Sequence, residues 1–119
     1  MAILVSFDID GTLESGDPRG PITMDMVRNA ESHGCIIGSS SDRPLPVQQA
    51  IWDRHDIQVS FVSNKQNLLD LKSRFPAKDY YHVGDTDQDR QFALASGFNF
   101  GWMDDGSAEP WINGTAQQD

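Results

Sequence analysis

The sequence lacks most of the features that mark secreted and membrane-bound proteins. It contains one cysteine, Cys35, so no internal disulfide can form, which excludes a disulfide-stapled scaffold. Cys35 lies in an apolar run and is interpreted as a small buried hydrophobic residue. The N-terminus has no basic segment ahead of an apolar one, and no window reaches the roughly 18–20 apolar residues of a membrane span. We therefore expect a cytoplasmic protein that does not use a membrane.

Basic residues are also scarce. The 119 residues include nine lysine and arginine side chains against eighteen aspartate and glutamate side chains, for a formal net charge of −9. The only lysines are Lys65, Lys72 and Lys78, and they form no basic block. Because such a chain repels a phosphate backbone, the composition argues against a nucleic-acid partner.

The length fits one domain and excludes a second module of ordinary size. We predict a single domain at residues 1–103, followed by a polar C-terminal tail at residues 104–119. Trp111 and Ile112 are candidates to hold this tail against the domain. A glycosylation sequon begins at Asn113, but it has little weight without a secretory signal.

Short apolar segments alternate with helical segments along the chain. Strands are predicted at residues 3–7, 35–38, 59–62, 80–83 and 98–103. The first helix is predicted between Thr23 and Gly34, and the second begins at Pro44. The third is marked by apolar spacing from Leu68 to Phe75, and the fourth spans residues 87–96. In the second helix the inward-facing side chains are predicted to be Val47, Ala50, Ile51 and Trp52. This alternation predicts a three-layer, Rossmann-like α/β fold, in which helices cover both faces of a parallel sheet of about five strands.

Chemically capable side chains follow four of these strands. In an open parallel sheet, ligands bind beyond the carboxyl ends of the strands, so these side chains are expected to converge there. In chain order they are Asp8, Asp10, Ser39, Lys65, Asp85 and Asp89.

The segment from Asp8 to Leu13 has the composition of a phosphoryl-transfer site. Asp8 can act as a nucleophile toward phosphorus, and Asp10 can serve as general acid and then base. Gly11 permits a tight turn past the site. Two carboxylates would repel a phosphate, so a hard cation is needed, and Mg²⁺ prefers such oxygen ligands. Asp85 is the natural additional ligand.

Phosphate binding is assigned to residues from three segments. Ser39 offers a hydroxyl, and the backbone N–H groups of Ser40 and Ser41 lead toward a helix N-terminus, which is an anion cradle. Lys65 adds positive charge for the transferring phosphoryl group. The full predicted set is Gly11, Thr12, Ser39, Ser40 and Lys65.

Several of these positions have competing candidates. Ser40 or Ser41 can take the place of Ser39, and Lys72 competes with Lys65. Thr12 can contact phosphate or satisfy the loop backbone. Asp42 and Arg43 can cap a helix or contact substrate. The histidines have no metal-ligand spacing and are interpreted as structural; they are His33, His55 and His82.

These residues resemble the four motifs of the haloacid dehalogenase-like superfamily of phosphohydrolases. Its first motif, Asp-x-Asp-Gly-Thr-Leu after an apolar strand, stands without departure at residues 8–13. Its second, a Ser or Thr closing a strand, is similar to Ser39, and its third, a Lys opening a helix, to Lys65. Its fourth, Gly-Asp-x-x-x-Asp, stands at residues 84–89. The resemblance covers residues 3 to about 103, and its first and fourth motifs are the specific ones.

The resemblance implies the role of each acidic residue. Asp8 would form an aspartyl-phosphate intermediate, and Asp10 would be the acid and base. Mg²⁺ would be held by Asp8, by the backbone carbonyl of Asp10 and by Asp85, with Asp89 in an outer, indirect position. An aspartate at position 10 is typical of the phosphatases of this superfamily, because its dehalogenases lack that second acid.

The spacing also predicts that the cap domain of many superfamily members is missing. Only residues 14–21 separate the first motif from the first helix, and almost nothing lies between Val62 and Lys65. An uncapped site leaves room for a bulky phosphorylated substrate, or a second copy of the chain can supply a lid. The loop that carries Asp17 and Arg19 is the nearest candidate for a specificity element.

Two further classes of protein share some of these features. A response-regulator receiver domain also has about 120 residues and an acidic Mg²⁺ pocket, but needs its phosphoacceptor after the third strand and a lysine near the C-terminus. No lysine follows Lys78. The second class is a catalytically retired phosphatase fold that serves as a binding module.

Overall fold

The structure is a computed structural model that describes residues 1–105 and 108–112. Its centre is a sheet of five parallel strands. The strands are β1 (Leu4–Phe7), β2 (Ile36–Ser41), β3 (Phe61–Asn64), β4 (Tyr80–Gly84) and β5 (Asn99–Trp102). They lie in the order β3-β2-β1-β4-β5, which is a Rossmann-like order. The predicted α/β fold is confirmed.

Helices cover both faces of this sheet. They are α1 (Met24–Ser32), α2 (Leu45–Arg54), α3 (Leu68–Arg74) and α4 (Asp87–Ala95), and a 3₁₀ turn at Lys65–Asn67 precedes α3. Successive side chains of a strand point to opposite faces, so β1 contributes to two cores. Val5 packs in the core beneath α1 and α2, whereas Leu4 packs in the core beneath α3 and α4.

The strand order places a topological switch point between β1 and β4. The chain runs outward from β1 through β2 to β3, and then returns to place β4 on the other side of β1. Ligands of open α/β sheets bind at such a point, beyond the carboxyl ends of the strands. The flavodoxin-like order 2-1-3-4-5, which receiver domains use, is a different one.

No cap domain interrupts the described chain at the two predicted positions. The loop between β1 and α1 covers residues 8–23, too few for a cap domain, and a bridge between Leu13 and Ile22 ties it together. The 3₁₀ turn begins at Lys65, directly after Asn64 ends β3. The carboxyl edge of the sheet is therefore open.

Three local predictions were wrong in detail. Strand β2 extends to Ser41 instead of ending at Gly38, and β3 begins at Phe61, two residues later than predicted. In α2, Val47 and Ala50 are exposed, and the amide side chain of Gln48 is buried. Hydrogen bonds stabilise the buried side chain of Gln48 in α2 and the buried serines of β2. A prediction based on apolar residues does not expect polar side chains at such positions.

Part of the predicted tail lies against the domain. Trp111 is buried, and its ring makes an edge-on contact with Phe7 at 6.3 Å between centroids. Ile112 is exposed. Residues 106, 107 and 113–119, including the sequon at Asn113, lie outside the described residues. In the part of the chain that is described, no helix has the length and apolar character to cross a membrane.

Candidate active site

The candidate site lies at the switch point, where β1 and β4 end side by side. Phe7 pairs with Val83, and the Asp8 N–H donates to the Val83 carbonyl at 2.9 Å, so Asp8 continues the ladder beside the Gly84-Asp85 segment. A cavity of about 210 Å³ opens here. Its lining residues are Asp8, Asp10, Ser41, Asp42, Lys65, Asp85, Thr86 and Gln88.

Three carboxylates converge at this cavity: Asp8 and Asp85 line it, and Asp89 is buried beside them. Oxygen atoms of Asp8, Asp85 and Asp89 all lie within 4.8 Å of one another. Asp8 is 3% exposed and Asp89 is fully buried. Like charges this close together are unfavourable unless a cation or a proton neutralises them.

Lys65 supplies one positive charge to this cluster. Its Nζ lies 3.0 Å from Asp89 Oδ1 and 3.4 Å from Asp8 Oδ1, and the side chain is buried. Burial alone would lower the pKa of Lys65, but the charges of Asp8 and Asp89 outweigh it and raise the pKa above its ordinary value. Lys65 is therefore a permanent cation in the site.

The negative charge of Asp8 is not fully balanced by the positive charge nearby. Burial, together with the negative charge of Asp89, raises the pKa of Asp8 to about 8, although Lys65 acts in the opposite direction. Thr12 donates a long hydrogen bond of 3.4 Å to Asp8 Oδ2. A second cation beside Asp8 would lower this pKa and favour the ionised carboxylate at neutral pH.

Asp89 is held from all sides. Oδ1 is 3.0 Å from His82 Nε2 and 3.0 Å from Lys65 Nζ, and Oδ2 accepts from Thr86 Oγ1 at 2.9 Å and from the Asp85 N–H at 3.3 Å. Burial opposes its charge, but the contacts from His82 and Lys65 prevail and hold the pKa of Asp89 well below its usual range. With both oxygens engaged, Asp89 fits an outer position around a metal better than a direct one.

Asp10 is paired with Arg43. Arg43 Nη2 donates to Asp10 Oδ1 at 2.6 Å and Nε donates to Oδ2 at 3.0 Å, and the Asp17 N–H adds a third contact at 2.8 Å. The hydrogen bonds from Arg43 lower the pKa of Asp10, against a smaller opposing effect of burial. Arg43 thus contacts the candidate acid and base, and Asp10 is ionised in this arrangement.

Two glycines allow the close packing of this site. Gly11 has a φ of 79°, and a Cβ there would lie 1.9 Å from Asp85 Oδ2. At Gly84, a Cβ would lie 2.5 Å from Asp89 Cγ. Any larger residue at either position would displace a carboxylate of the cluster. Steric crowding therefore explains why both positions of the sequence motifs are glycine.

The structure does not bring Ser39 and Ser40 to the cavity. Ser39 lies level with Phe7, one residue short of Asp8; its hydroxyl donates to Gln48 Oε1 at 2.7 Å and accepts from Trp52 Nε1 at 3.0 Å. Ser40 Oγ is hydrogen-bonded to Ser6 Oγ. Because β2 is longer than predicted, the serine that reaches the cavity is Ser41.

Lys72 and Asp42, two further candidates from the sequence, lie outside the acidic cluster. Lys72 lies away from the cluster, with its Nζ 3.5 Å from the Gly97 carbonyl and 5.4 Å from the centre of the Tyr80 ring. Lys65 is therefore the lysine of the site. Asp42 is exposed and lies at its rim, 3.7 Å from Lys65 Nζ.

Sequence reasoning assigned no site role to four residues that line or support the site, although it named His82 as structural. Thr86 and Gln88 line the cavity, and both lie in the predicted segment between Asp85 and Asp89. Gln48 and His82 are buried behind it and donate or accept through both of their polar atoms. The helical spacing of Gln48 with Ile51 and Trp52, the buried residues of α2, was a usable signal, whereas nothing local distinguished His82.

The donor set fits a hard divalent cation. Asp8 and Asp85 present carboxylate oxygens, and the Gly11 turn brings the backbone to within van der Waals range of Asp85. Oxygen ligands of this kind suit Mg²⁺.

Comparison of the chain with models of protein families, with curated proteins and with solved structures found no match. The site is therefore interpreted from its own geometry.

Proposed function

We propose that the chain is a small, capless phosphatase of the haloacid dehalogenase-like type, a Mg²⁺-dependent hydrolase of phosphomonoesters. The observation that carries this proposal is the convergence of Asp8, Asp85 and Asp89 with the buried Lys65 at the switch point of the sheet. Buried carboxylates this close together cost folding free energy unless a cation neutralises them, and a bound cation would also attract an anionic substrate. The order of the four motifs along the chain gives independent support.

In the first half of the proposed reaction, Asp8 attacks the phosphorus atom of the substrate. A bond forms between an Asp8 carboxylate oxygen and phosphorus, and the bond from phosphorus to the leaving oxygen breaks. The leaving oxygen takes a proton from Asp10. Lys65 stabilises the charge on the transferring group throughout.

In the second half, water releases the phosphate. Asp10 takes a proton from the water, whose oxygen attacks phosphorus, and the bond between phosphorus and Asp8 breaks. The ionised state of Asp10 beside Arg43 suits this role as a base. For its earlier role as an acid, Asp10 must be released by Arg43 when the substrate arrives.

Mg²⁺ would be held by the carboxylates of Asp8 and Asp85 and by the backbone carbonyl of Asp10. When bound, it would lower the pKa of Asp8 and offset the repulsion between the acidic cluster and a phosphate. The open rim is compatible with a bulky phosphorylated substrate or with a lid from a second copy of the chain. A cytoplasmic location stays a prediction from the sequence.

Release of phosphate from a generic aryl phosphate tests the proposal. We expect turnover that needs Mg²⁺, stops with EDTA and is abolished in Asp8→Asn. A matched control is Asp53→Asn, which removes an exposed carboxylate on α2. A panel of phosphorylated metabolites, nucleotides and phosphopeptides would then identify the substrate class.

A retired binding module predicts a different result from the same experiment. Pure, folded protein would show no EDTA-sensitive turnover, and Asp8→Asn would behave as the unmodified chain does. For a receiver domain, acetyl phosphate would label the chain without sustained turnover. The strand order disfavours the receiver class.

A further inference from the structure

A chain of buried polar side chains runs beneath the cavity and crosses four neighbouring strands and one helix. Its members come from β3, β2, β1, β4 and α4, and they are Ser63, Ser40, Ser6, His82 and Asp89. The consecutive distances are 3.2 Å between Ser63 Oγ and Ser40 Oγ, 2.7 Å from there to Ser6 Oγ, and 3.0 Å from Ser6 Oγ to His82 Nδ1. The last is 3.0 Å from His82 Nε2 to Asp89 Oδ1.

This burial is costly unless each group has a partner. Ser6, Ser40, His82 and Asp89 are fully buried. The position of His82 in a central strand is one that an apolar residue would ordinarily occupy. A polar side chain there stabilises the fold only through its hydrogen bonds. The partners of His82 therefore show which residues it holds in place.

The hydrogen bonds fix the His82 ring on both sides. An ionised carboxylate only accepts, so His82 Nε2 carries the hydrogen and donates it to Asp89. On the other side, Nδ1 faces the Ser6 hydroxyl, which is directly opposite in the ladder between β1 and β4. The ring therefore has one orientation, set by the strand that leads into Asp8.

The same Asp89 oxygen contacts both His82 and Lys65. Oδ1 lies 3.0 Å from each, while Lys65 Nζ also reaches Asp8 at 3.4 Å. How strongly Asp89 attracts Lys65 thus depends on how well His82 already satisfies Oδ1. Without His82, Lys65 would be the only donor to that oxygen among the described residues and would move toward it, away from Asp8.

We propose that His82 is a positioning residue, which orients Asp89 and thereby keeps Lys65 within reach of Asp8. It touches neither the substrate nor the reacting atoms. The kinetic consequence of this inference depends on the proposed function, whereas its structural consequence does not. Partners of this indirect kind typically change affinity or activity by roughly 10–100-fold when lost.

Three variants test the inference. His82→Leu fills the space without a donor, His82→Gln restores an N–H near the position of Nε2, and Val27→Ala weakens the core beneath α1 without touching the polar chain. Crystal structures are compared for all three, together with kcat. In His82→Leu we expect lengthening of the contact between Lys65 and Asp8 and a kcat lower by roughly 10–100-fold.

The other two variants separate positioning from packing. His82→Gln should recover most of the loss, and Val27→Ala should lose stability but not kcat. The inference is overturned if His82→Leu keeps Asp89 and Lys65 in place, or if His82→Gln is no better than His82→Leu. If His82→Leu does not fold, Ser6→Ala takes its place, with a smaller shift of the same atoms expected. If the unmodified chain has no phosphatase activity, the proposed function fails, and the crystal structures still decide the role of His82.

Discussion

Arg43 and Asp10 form a two-point ion pair at the rim of the cavity, with contacts of 2.6 Å and 3.0 Å between guanidinium nitrogens and carboxylate oxygens. The pair joins the loop after β2 to the loop after β1. It links the candidate acid and base to the loop after β2. The protonation of Asp10 therefore depends on a partly exposed partner that lies outside its own segment.

Replacing Arg43 should raise the pKa of Asp10. Arg43→Met removes the hydrogen bonds that lower this pKa, so the midpoint of the Asp10 carboxyl should move upward toward its ordinary value. Carbon-13 NMR of labelled aspartate measures it directly. Arg28→Met, which breaks an exposed pair with Asp25, is the matched control and should leave Asp10 unchanged. An unchanged midpoint in Arg43→Met would contradict the ion pair.

The metal-free protein should lose stability as the pH rises toward 8. The pKa of Asp8 is about 8 in the folded state and about 3.9 in an unfolded chain, so between these values the folded state binds more protons. Stability linked to this group is complete below pH ~4 and is lost progressively as the pH rises through 8. Urea unfolding in EDTA at several pH values measures the slope. Asp8→Asn should flatten it, and a slope equal to that of the unmodified chain would refute the assignment.

Mg²⁺ should stabilise the folded state, most strongly near or above neutral pH. A ligand that binds only the folded chain adds about 2.7 kcal/mol at a concentration 100 times its Kd. Thermal unfolding with increasing MgCl₂ measures this, with NaCl at equal ionic strength as the control. Asp85→Asn should remove most of the effect. An equal response to both salts would mean that only screening is at work.

Two glycine substitutions should separate the effect of backbone strain from the effect of a steric clash with Asp85. Gly11 and Gly34 both have positive φ, at 79° and 85°, so alanine at either costs about 1–2 kcal/mol. A Cβ at Gly11 would meet Asp85, whereas at Gly34 it would meet nothing within 4 Å. Both variants should therefore lose stability in urea, but only Gly11→Ala should lose Mg²⁺ binding by calorimetry. Equal Mg²⁺ affinity in the two variants would place the metal elsewhere.

The serines of β2 should differ in their effects. Ser41→Ala should weaken the binding of inorganic phosphate, because Ser41 lines the cavity. Its cost in stability should be smaller than that of Ser39→Ala, because Ser41 Oγ accepts from the Arg43 N–H at 3.1 Å, whereas Ser39 has two buried side-chain partners. Ser39→Ala should cost about 1–3 kcal/mol, because Gln48 and Trp52 lose a buried partner. Phosphate titration and urea unfolding distinguish them. The reverse pattern would favour Ser39 as the phosphate-binding serine.

Sequence reasoning was most accurate where local chemistry decides the structure. Thr23 caps α1 and accepts from the Met26 N–H, as a threonine before an apolar-periodic helix predicts. It was least accurate in β2, where serines of low strand propensity lie in a central, almost fully buried strand. The hydroxyls of Ser39 and Ser40 are satisfied by Gln48, Trp52, Ser6 and Ser63, so no local pattern could place the end of the strand.

The sequence by itself determined which residues follow the strands, and thus the parallel α/β fold and the identity of Asp8, Asp10, Lys65 and Asp85 as candidates. These follow from alternation, turn residues and motif spacing, which are local properties. Only the tertiary structure decided that Ser41 reaches the cavity, that Arg43 contacts Asp10 and that His82 supports Asp89. Those relationships depend on strand register and on burial, because hydrogen bonds across neighbouring strands join residues that are far apart along the chain.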